Sequence, residues 1–421
     1  MQKIFRNNIF SNSIAVLLLR GTTIFTRIAA LFVIAKFTNS QEFGMVSVAV
    51  ALAEIGKVVA DFGTDTLSLK EYAITSDPQQ LSKFAGTVAH TKFVCCLVVY
   101  AGLSAYFLAV ETLPHALIGI VAGLLLITTS ASNFSINYFQ ARLRIPDILW
   151  PITANNLVAL GLVALVLNLY PNALLGVAIL PAAEAVNALI LYLYFRKNVQ
   201  LKLPQIDRTD VWALLRQGLP IAISIIIVAI YTRLDVIVLE KFFDKSIVGE
   251  YGVAFRCTEP FQLVTSAFAI TAYSHLSAIL DQRKFSAANK FIVKYGSMIL
   301  TYGLVICGFL LLVAPPLIQT FLPQYQNSIP ILRVLAAAII FRAPNSSLTC
   351  MIQAYGHYRW ITYVSVWNLV FITALLAILV PSISAIGAAY SLLIGEIVNV
   401  VIQSSMLFYI SRKQLLVASK T

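Results

Sequence analysis

The chain is 421 residues long, and 59% of its residues are apolar while only 11% are charged. Because about a quarter of the residues of a soluble domain are charged, this composition excludes a soluble globular protein. The formal net charge of +12 does not indicate a nucleic-acid partner. The basic residues lie scattered between apolar segments and imply no single compact basic surface.

Twelve apolar segments of about bilayer length follow one another along the chain. A helix needs roughly 20 apolar residues to cross the hydrocarbon core, and continuous apolar runs of this length favour helices over the strands of a barrel. We therefore predict an all-α polytopic membrane protein. Its predicted crossings are residues 10–35, 43–62, 85–110, 115–140, 149–169, 174–195, 217–240, 248–272, 291–314, 329–354, 362–380 and 387–410.

The basic residues between these crossings fall mainly on one side of the membrane. With a cytoplasmic amino terminus, 18 of the 30 Lys and Arg residues lie in inner segments, and three, Lys36, Lys241 and Lys245, lie in outer loops. The positive-inside rule therefore predicts that both termini are cytoplasmic. The first crossing begins like a signal peptide, but Arg20 interrupts its apolar stretch and no small-residue cleavage site follows, which favours a retained helix.

An internal repeat organises the chain. A shift of 205 residues superposes Lys36 on Lys241 and Glu54 on Glu259. Further matches, at shifts of 212 and 213, are Glu184-x-x-Asn187 with Glu396-x-x-Asn399, Gln140-Ala141 with Gln353-Ala354, and Asn155 with Asn368. Because each half holds an even number of crossings, we predict two six-helix bundles, 1–195 and 217–410, related by a pseudo-two-fold axis along the membrane normal. A basic cytoplasmic linker, 196–216, joins them, and a cytoplasmic tail, 411–421, follows.

Charged side chains lie inside the predicted crossings, where each costs about 2.5–3.5 kcal/mol at the bilayer centre even on a lenient scale. They are therefore expected to face protein or water. These residues are Arg20, Arg27, Glu54, Lys57, Asp61, Lys92, Glu184, Arg233, Asp235, Arg256, Glu259, Arg333, Arg342 and Glu396. The small basic excess favours an anionic substrate, because a guanidinium suits the forked geometry of phosphate oxygens.

Structural and functional interpretations compete for several of these groups. Glu54, Lys57 and Asp61 form a ladder on one helix face, where they can satisfy one another, so both interpretations stay open. The matching Glu184 and Glu396 favour a symmetric packing device that bonds neighbouring helices.

The isolated arginines favour a functional role more strongly. Arg20 and Arg27 lie seven residues apart and so project from one face of their helix. They share with Arg342 the lack of an acidic residue at helical spacing. For Arg333, close to the outer end of its crossing, snorkelling to the headgroups is the favoured interpretation.

No catalytic or metal-binding motif accompanies these charges. The five cysteines fall inside crossings without metal-type spacing, and the four histidines form no HExxH motif. The sequence also has no phosphate-cradling glycine loop and no serine nucleophile elbow. We therefore expect no enzyme activity, no cofactor and no metal site.

Short motifs in both halves carry a resemblance to a known family. The second half has Gly218-Leu219-Pro220, then Arg233-Leu234-Asp235 and Gly249-x-Tyr251-x-x-Ala254. These resemble the repeat signature of the Wzx-type polysaccharide flippases in the multidrug/oligosaccharidyl-lipid/polysaccharide exporter superfamily. The Arg27 helix followed by Glu42-Phe43-Gly44 is similar to the same unit in the first half. The likeness covers essentially the whole chain in length, helix number and repeat.

The resemblance implies a function and a set of site residues. Such flippases move isoprenoid diphosphate-linked oligosaccharide from the cytoplasmic to the outer leaflet of a bacterial inner membrane by alternating access, for O-antigen or capsule synthesis. By this resemblance, Arg20 and Arg27 would contact the diphosphate or acidic sugars, joined by Arg256 and Arg342. Lys57 and Arg233 are further candidate substrate-binding residues. Glu54, Asp235 and Glu259 are candidate sites for coupling to a proton or sodium gradient. Membrane lipids, a polysaccharide polymerase and a chain-length regulator are the expected partners.

Two alternatives remain open. A multidrug exporter of the same superfamily would move organic cations and would favour carboxylates in its cavity, which the basic excess opposes. A membrane glycosyltransferase or polysaccharide polymerase also handles lipid-linked glycans, but commonly presents a sizeable outer domain. The longest outer loop here is about 315–328, and the two-fold repeat is foreign to that class.

Overall fold

The structure is a computed structural model that describes residues 2–75, 77–199 and 207–418. Within them it contains helices and no strand. The helices are α1 Gln2–Phe37, α2 Ser40–Asp61, α3 Thr64–Ile74, α4 Pro78–Val110, α5 Leu113–Ala141, α6 Pro146–Leu169, α7 Ala173–Asn198, α8 Arg208–Phe242, α9 Lys245–Thr258, α10 Pro260–Asp281, α11 Phe285–Phe321, α12 Ser328–Ala354 and α13 Tyr358–Ala418, with a 3-10 turn over Pro323–Tyr325.

Eleven segments of the described chain are long and apolar enough to cross a membrane. One of them joins α9 and α10 over Lys245–Asp281. Another, Arg359–Lys413, lies in α13, which breaks at Ile383 and Ser384 and thus supplies two of the predicted crossings. The prediction of an all-α polytopic membrane protein is confirmed. The short helix α3 was not among the predicted elements.

Side-chain caps fix where several crossings begin. Asn39 accepts from the backbone N–H of Glu42, whose carboxylate in turn accepts from the Asn39 N–H, and this capping box starts α2. Asp77 caps α4 at the Gln79 N–H, and Asn172 caps α7. These caps satisfy N–H groups that the first helical turn leaves without backbone partners.

The repeat extends to the backbone conformation. After α5, the sequence Gln140-Ala141 is followed by Leu143 at φ 55°. After α12, Gln353-Ala354 is followed by Gly356 at φ 81°. Both helices therefore end on a left-handed residue at matching positions, which is a common way to terminate a helix.

The chain forms two compact units, residues 1–233 and 234–421. The division falls within α8 and not in the predicted linker, because the start of α8 packs on unit 1. A Cβ on Gly218 would lie 2.4 Å from the Phe62 carbonyl oxygen. Linker residues 200–206 lie outside the described residues, those from Arg208 belong to α8, and the predicted tail continues α13 as far as Ala418.

Each unit has its own apolar core. In unit 1, the fully buried rings of Tyr72, Phe139 and Phe195 belong to one cluster, and Tyr138 stacks edge-on against all three. Such edge-to-face pairs add to the gain from burial alone. In unit 2 the corresponding cluster joins α10, α11, α12 and α13. These cores include α1, α4, α7 and α8 of unit 1 and α12 and α13 of unit 2, which carry part of the buried charge.

Candidate functional site

Two arginines converge on one glutamate inside unit 1. Arg27 of α1 donates from Nη2 to Oε1 of Glu54 on α2, and the Nη2 atom of Arg233 on α8 lies 2.7 Å from Oε2 of the same carboxylate. We call these three residues the Glu54 cluster. Their side chains remain 32%, 25% and 13% exposed for Arg27, Glu54 and Arg233, so the cluster is accessible from outside the protein core.

The repeat explains why two arginines are present. Thr26-Arg27 on α1 and Thr232-Arg233 on α8 are the same dipeptide in the first crossing of each repeat. The cluster therefore combines one arginine from each copy of the repeat with a single acid. Glu259, which matches Glu54, instead pairs with Arg256 one helical turn away at 2.7 Å. The two repeats thus use their equivalent acids differently.

Lys57 lies one turn from Glu54 and is half-buried. Among the described residues it has no hydrogen-bond or ion-pair partner, although the charges of Asp65, Arg27, Glu184 and Glu54 act on it. The local pairing expected for the ladder Glu54–Lys57–Asp61 is therefore not formed. Partners from other helices take both acids, which helical spacing alone does not reveal.

A cavity with both polar and apolar lining lies beside Arg27 within unit 1. The cavity itself has a volume of about 40 Å³, within a wider space of about 470 Å³ that includes open solvent. Its polar lining comes from α1, α5, α6 and α7 and consists of Thr23, Thr26, Arg27, Thr129, Asn156 and Glu184. Glu184 accepts from Ser132 Oγ at 3.3 Å. This acid, expected to act in helix packing, therefore also faces a cavity.

Amide side chains form a chain along the same helices. Asn155 donates to Asn187 Oδ1 at 2.9 Å, Asn187 donates to Asn156 Oδ1 at 2.9 Å, and Asn156 donates to Thr23 Oγ1 at 3.1 Å. Buried polar groups need such partners, because an unpaired group in an apolar interior is costly. The chain fixes α6 and α7 against α1 and thereby shapes one wall of the cavity.

A buried charge network at the end of α2 was not predicted from the sequence. Lys92 of α4, whose side chain is 5% exposed, lies 2.5 Å from Asp61 Oδ1 and 2.7 Å from Asp65 Oδ1. Asn137 also donates to Asp65, at 2.6 Å. Burial alone would raise the pKa of the Asp65 carboxyl, but Lys92 and these hydrogen bonds outweigh it and hold the pKa below its ordinary value.

Three polar pairs in the described part of unit 2 involve residues that were predicted for the site. Besides Arg256 with Glu259, the hydroxyl of Tyr251 donates to Asp235, and both side chains are buried. Arg342, expected to lack an acid, donates from Nε to Oε1 of Glu396 at 2.7 Å. The acid comes from α13, so the absence of an acid at helical spacing did not predict an unpaired arginine.

The structure brings together three of the nine residues predicted for the site, Arg27, Glu54 and Arg233, with Lys57 close by. Arg20 lies on the same helix as Arg27 but is exposed, with no described hydrogen-bond or ion-pair partner. Asp235, Arg256, Glu259 and Arg342 lie in unit 2, in the pairs given above. In the part of the chain that the structure describes, no group of acidic, histidine and cysteine side chains has the arrangement of a metal site.

A known protein family matches most of the chain. The family is described as "Polysaccharide biosynthesis protein", and the match covers residues 6–273, more than half of the sequence. The chain belongs to this polysaccharide biosynthesis protein family. The polysaccharide part of the predicted resemblance is thereby confirmed. No curated protein sequence matches the chain.

Solved structures share the fold of this polysaccharide biosynthesis protein. Lipid II flippase MurJ in an inward closed conformation has a TM-score of 0.68 at 18% identity, covering 95% of this chain and 91% of that chain. An inward-facing multidrug resistance MATE family transporter of the MOP superfamily has a TM-score of 0.66 at 15% identity, covering 97% of this chain and 99% of that chain. A MOP superfamily transporter from Pyrococcus furiosus has a TM-score of 0.58 at 14% identity, covering 97% of this chain and 96% of that chain.

Proposed function

We propose that this protein is a flippase for lipid-linked oligosaccharides. It moves isoprenoid diphosphate-linked repeat units from the cytoplasmic to the outer leaflet of a bacterial inner membrane, for surface polysaccharide synthesis such as O-antigen or capsule. The family match supports polysaccharide biosynthesis, and the similarity to the structure of lipid II flippase MurJ supports a flippase fold. Transport then requires alternating access of a polar headgroup, while the lipid tail stays in the bilayer.

The Glu54 cluster is the observation that carries this proposal. Two guanidiniums at one point of a membrane-embedded helix bundle form a site for an anion with several oxygens, because each guanidinium offers forked donors. A diphosphate presents such oxygens. Arg27 and Arg233 are thus the primary headgroup contacts, with Lys57 adjacent. Arg20, Arg256 and Arg342 remain secondary candidates from the sequence.

Ion coupling is the second part of the proposal. Glu54, Asp235 and Glu259 are the candidate protonation or sodium sites, since they are acids retained within crossings at considerable cost. The carboxylate of Asp235 accepts a hydrogen bond from the Tyr251 hydroxyl, and Glu259 forms an ion pair with Arg256. A polysaccharide polymerase and a chain-length regulator are the expected partners, and both termini are expected in the cytoplasm.

A multidrug exporter is the second candidate. The observation that favours it is Glu184, a carboxylate that lines the cavity of unit 1 and would suit an organic cation. The fold accommodates either substrate class, since it is also shared by a multidrug resistance transporter. The two candidates differ in the charge of their substrates, and cellular transport assays separate them.

The test is leaflet-resolved measurement of isoprenoid-linked oligosaccharide in cells that lack the gene. We expect intact repeat units to accumulate on the cytoplasmic leaflet, and expression of the wild-type protein to restore outward delivery. At equal protein abundance, the Arg27→Gln variant should fail to restore outward delivery. The control Glu42→Gln, which removes a charge from the capping box of α2, should restore it. Normal delivery in the deletion strain, without another flippase, together with higher sensitivity to cationic drugs, would favour the exporter.

A further inference from the structure

The Glu54 carboxylate occupies the place that an anionic substrate requires. Its two oxygens are divided between two arginines, Oε1 to Arg27 and Oε2 to Arg233. A phosphate group bound by the same arginines would offer its oxygens in the same bridging manner. The carboxylate and a substrate phosphate therefore cannot both hold these donors in full.

We propose that Glu54 is an internal counter-anion, which the substrate's diphosphate displaces from Arg27 and Arg233 on binding. The inference rests on the proposed function and adds a competition step to it. With the site empty, the carboxylate keeps the two guanidiniums from standing uncompensated in a membrane protein. With substrate bound, the diphosphate replaces the Glu54 carboxylate as the acceptor for Arg27 and Arg233. When it leaves, Glu54 returns and speeds release.

The exposure of the cluster fits such an exchange. The side chains of Arg27 and Glu54 are 32% and 25% exposed and that of Arg233 is 13% exposed, whereas Lys92, the cation of the structural network, is 5% exposed. An incoming anion can therefore reach the guanidiniums without unfolding the helices. A pair as enclosed as Lys92 and Asp61 would have to be broken inside the core, which is far more costly.

Arg27 also has donor capacity beyond its contact with Glu54. Its Nε atom is buried and has no hydrogen-bond partner among the described residues, and the side chain lines the cavity of unit 1. A buried donor without a partner is unfavourable and is normally satisfied. A phosphate oxygen that reaches the Nε–H would remove this deficit, which gives the substrate an advantage that the Glu54 carboxylate lacks.

The experiment measures binding of inorganic pyrophosphate to the purified full-length protein in nanodiscs of uncharged lipid. We expect Glu54→Gln to bind pyrophosphate about 10- to 100-fold more tightly than wild type, the range set by one hydrogen bond to a charged group. The control Glu42→Gln removes the same charge from the exposed start of α2 and should leave the affinity unchanged. Adding Arg27→Gln to Glu54→Gln should abolish the gain.

Equal or weaker pyrophosphate binding by Glu54→Gln would overturn the proposal, since Glu54 would then position the arginines instead of competing with the substrate. Glu54→Asp, which shortens the carboxylate arm, provides a second variant should the glutamine variant not fold, and it too should bind pyrophosphate more tightly. Failure of this proposal and failure of the flippase proposal can be told apart. Tighter pyrophosphate binding by Glu54→Gln together with normal oligosaccharide delivery in the deletion strain would support displacement of Glu54 by phosphate. It would contradict the flippase function and indicate another phosphorylated substrate.

Discussion

Arg342 donates to the carboxylate of Glu396 across 2.7 Å, at the position where the first repeat carries Thr129. Both Thr129 and Glu184, the acid that matches Glu396, line the cavity of unit 1. Arginine at this position forms an ion pair with the acid in the second repeat. Threonine at the matching position of the first repeat leaves a cavity beside the acid. Equivalent acids in a repeat protein can therefore differ in role through one neighbouring residue.

Replacement of Arg342 by methionine tests whether this arginine stabilises unit 2. Among the described residues, the change leaves the buried Glu396 carboxylate with a hydrogen bond from Asn345 and no ion pair, and breaking a buried pair on one side costs about 3–5 kcal/mol. We expect a lower unfolding temperature of the purified protein in detergent. Adding Glu396→Gln should recover most of the loss. If Arg342→Met kept full thermal stability and lost substrate binding, Arg342 would instead be a substrate contact.

The network around Lys92 predicts a similar dependence in unit 1. Lys92→Met would remove the ammonium group that bonds to both Asp61 and Asp65, at a cost of about 3–5 kcal/mol. The folded fraction after heating in detergent measures the effect. The triple variant that also carries Asp61→Asn and Asp65→Asn should be more stable than Lys92→Met alone. Equal stability of Lys92→Met and wild type would show that the network contributes little.

The contact between α8 and the start of α3 depends on two glycines. Gly63 has φ 77°, and a Cβ there would lie 2.7 Å from the Gly218 carbonyl oxygen. We expect Gly63→Ala to destabilise the fold by about 1–3 kcal/mol through backbone strain and the close contact. Gly102→Ala is the matched control, because a Cβ at Gly102 meets no atom within 4 Å. Equal unfolding temperatures for the two variants would argue against this contact.

The predicted topology can be tested by cysteine labelling in intact cells. In a background with the five native cysteines replaced by alanine, we expect Asn172→Cys to react with a membrane-impermeant maleimide from outside. Arg144→Cys should react only after permeabilisation, because the basic segments are predicted to be cytoplasmic. The reverse pattern would invert the orientation of every crossing.

The sequence predicted the fold more completely than the site. Bilayer length dictates the apolar runs, so the crossings were predictable without any tertiary information. The break in α13 at Ser384 also lies between two predicted crossings. The short helix α3 was missed, since its 11 residues have too little apolar character to form a crossing.

Ion partners were the part that sequence spacing could not predict. Helical spacing allowed Glu54 and Asp61 to pair with Lys57. In the structure Glu54 pairs with Arg27 and Arg233, and Asp61 pairs with Lys92. Helical spacing shows which residues share a face of one helix. It does not show which other helix faces them, and tertiary packing decides that. The repeated Thr-Arg dipeptide of α1 and α8 was the one sequence signal that could have indicated the cluster.

The most direct measurement of the central claim uses the purified protein in liposomes with isoprenoid diphosphate-linked oligosaccharide in both leaflets. A glycosidase added outside cleaves only the headgroups that reach the outer leaflet. We predict nearly complete cleavage with the wild-type protein and about half cleavage with Arg27→Gln or with empty liposomes, because the inner leaflet stays protected. Half cleavage with the wild-type protein under an imposed proton or sodium gradient, with folding confirmed, would contradict the flippase account.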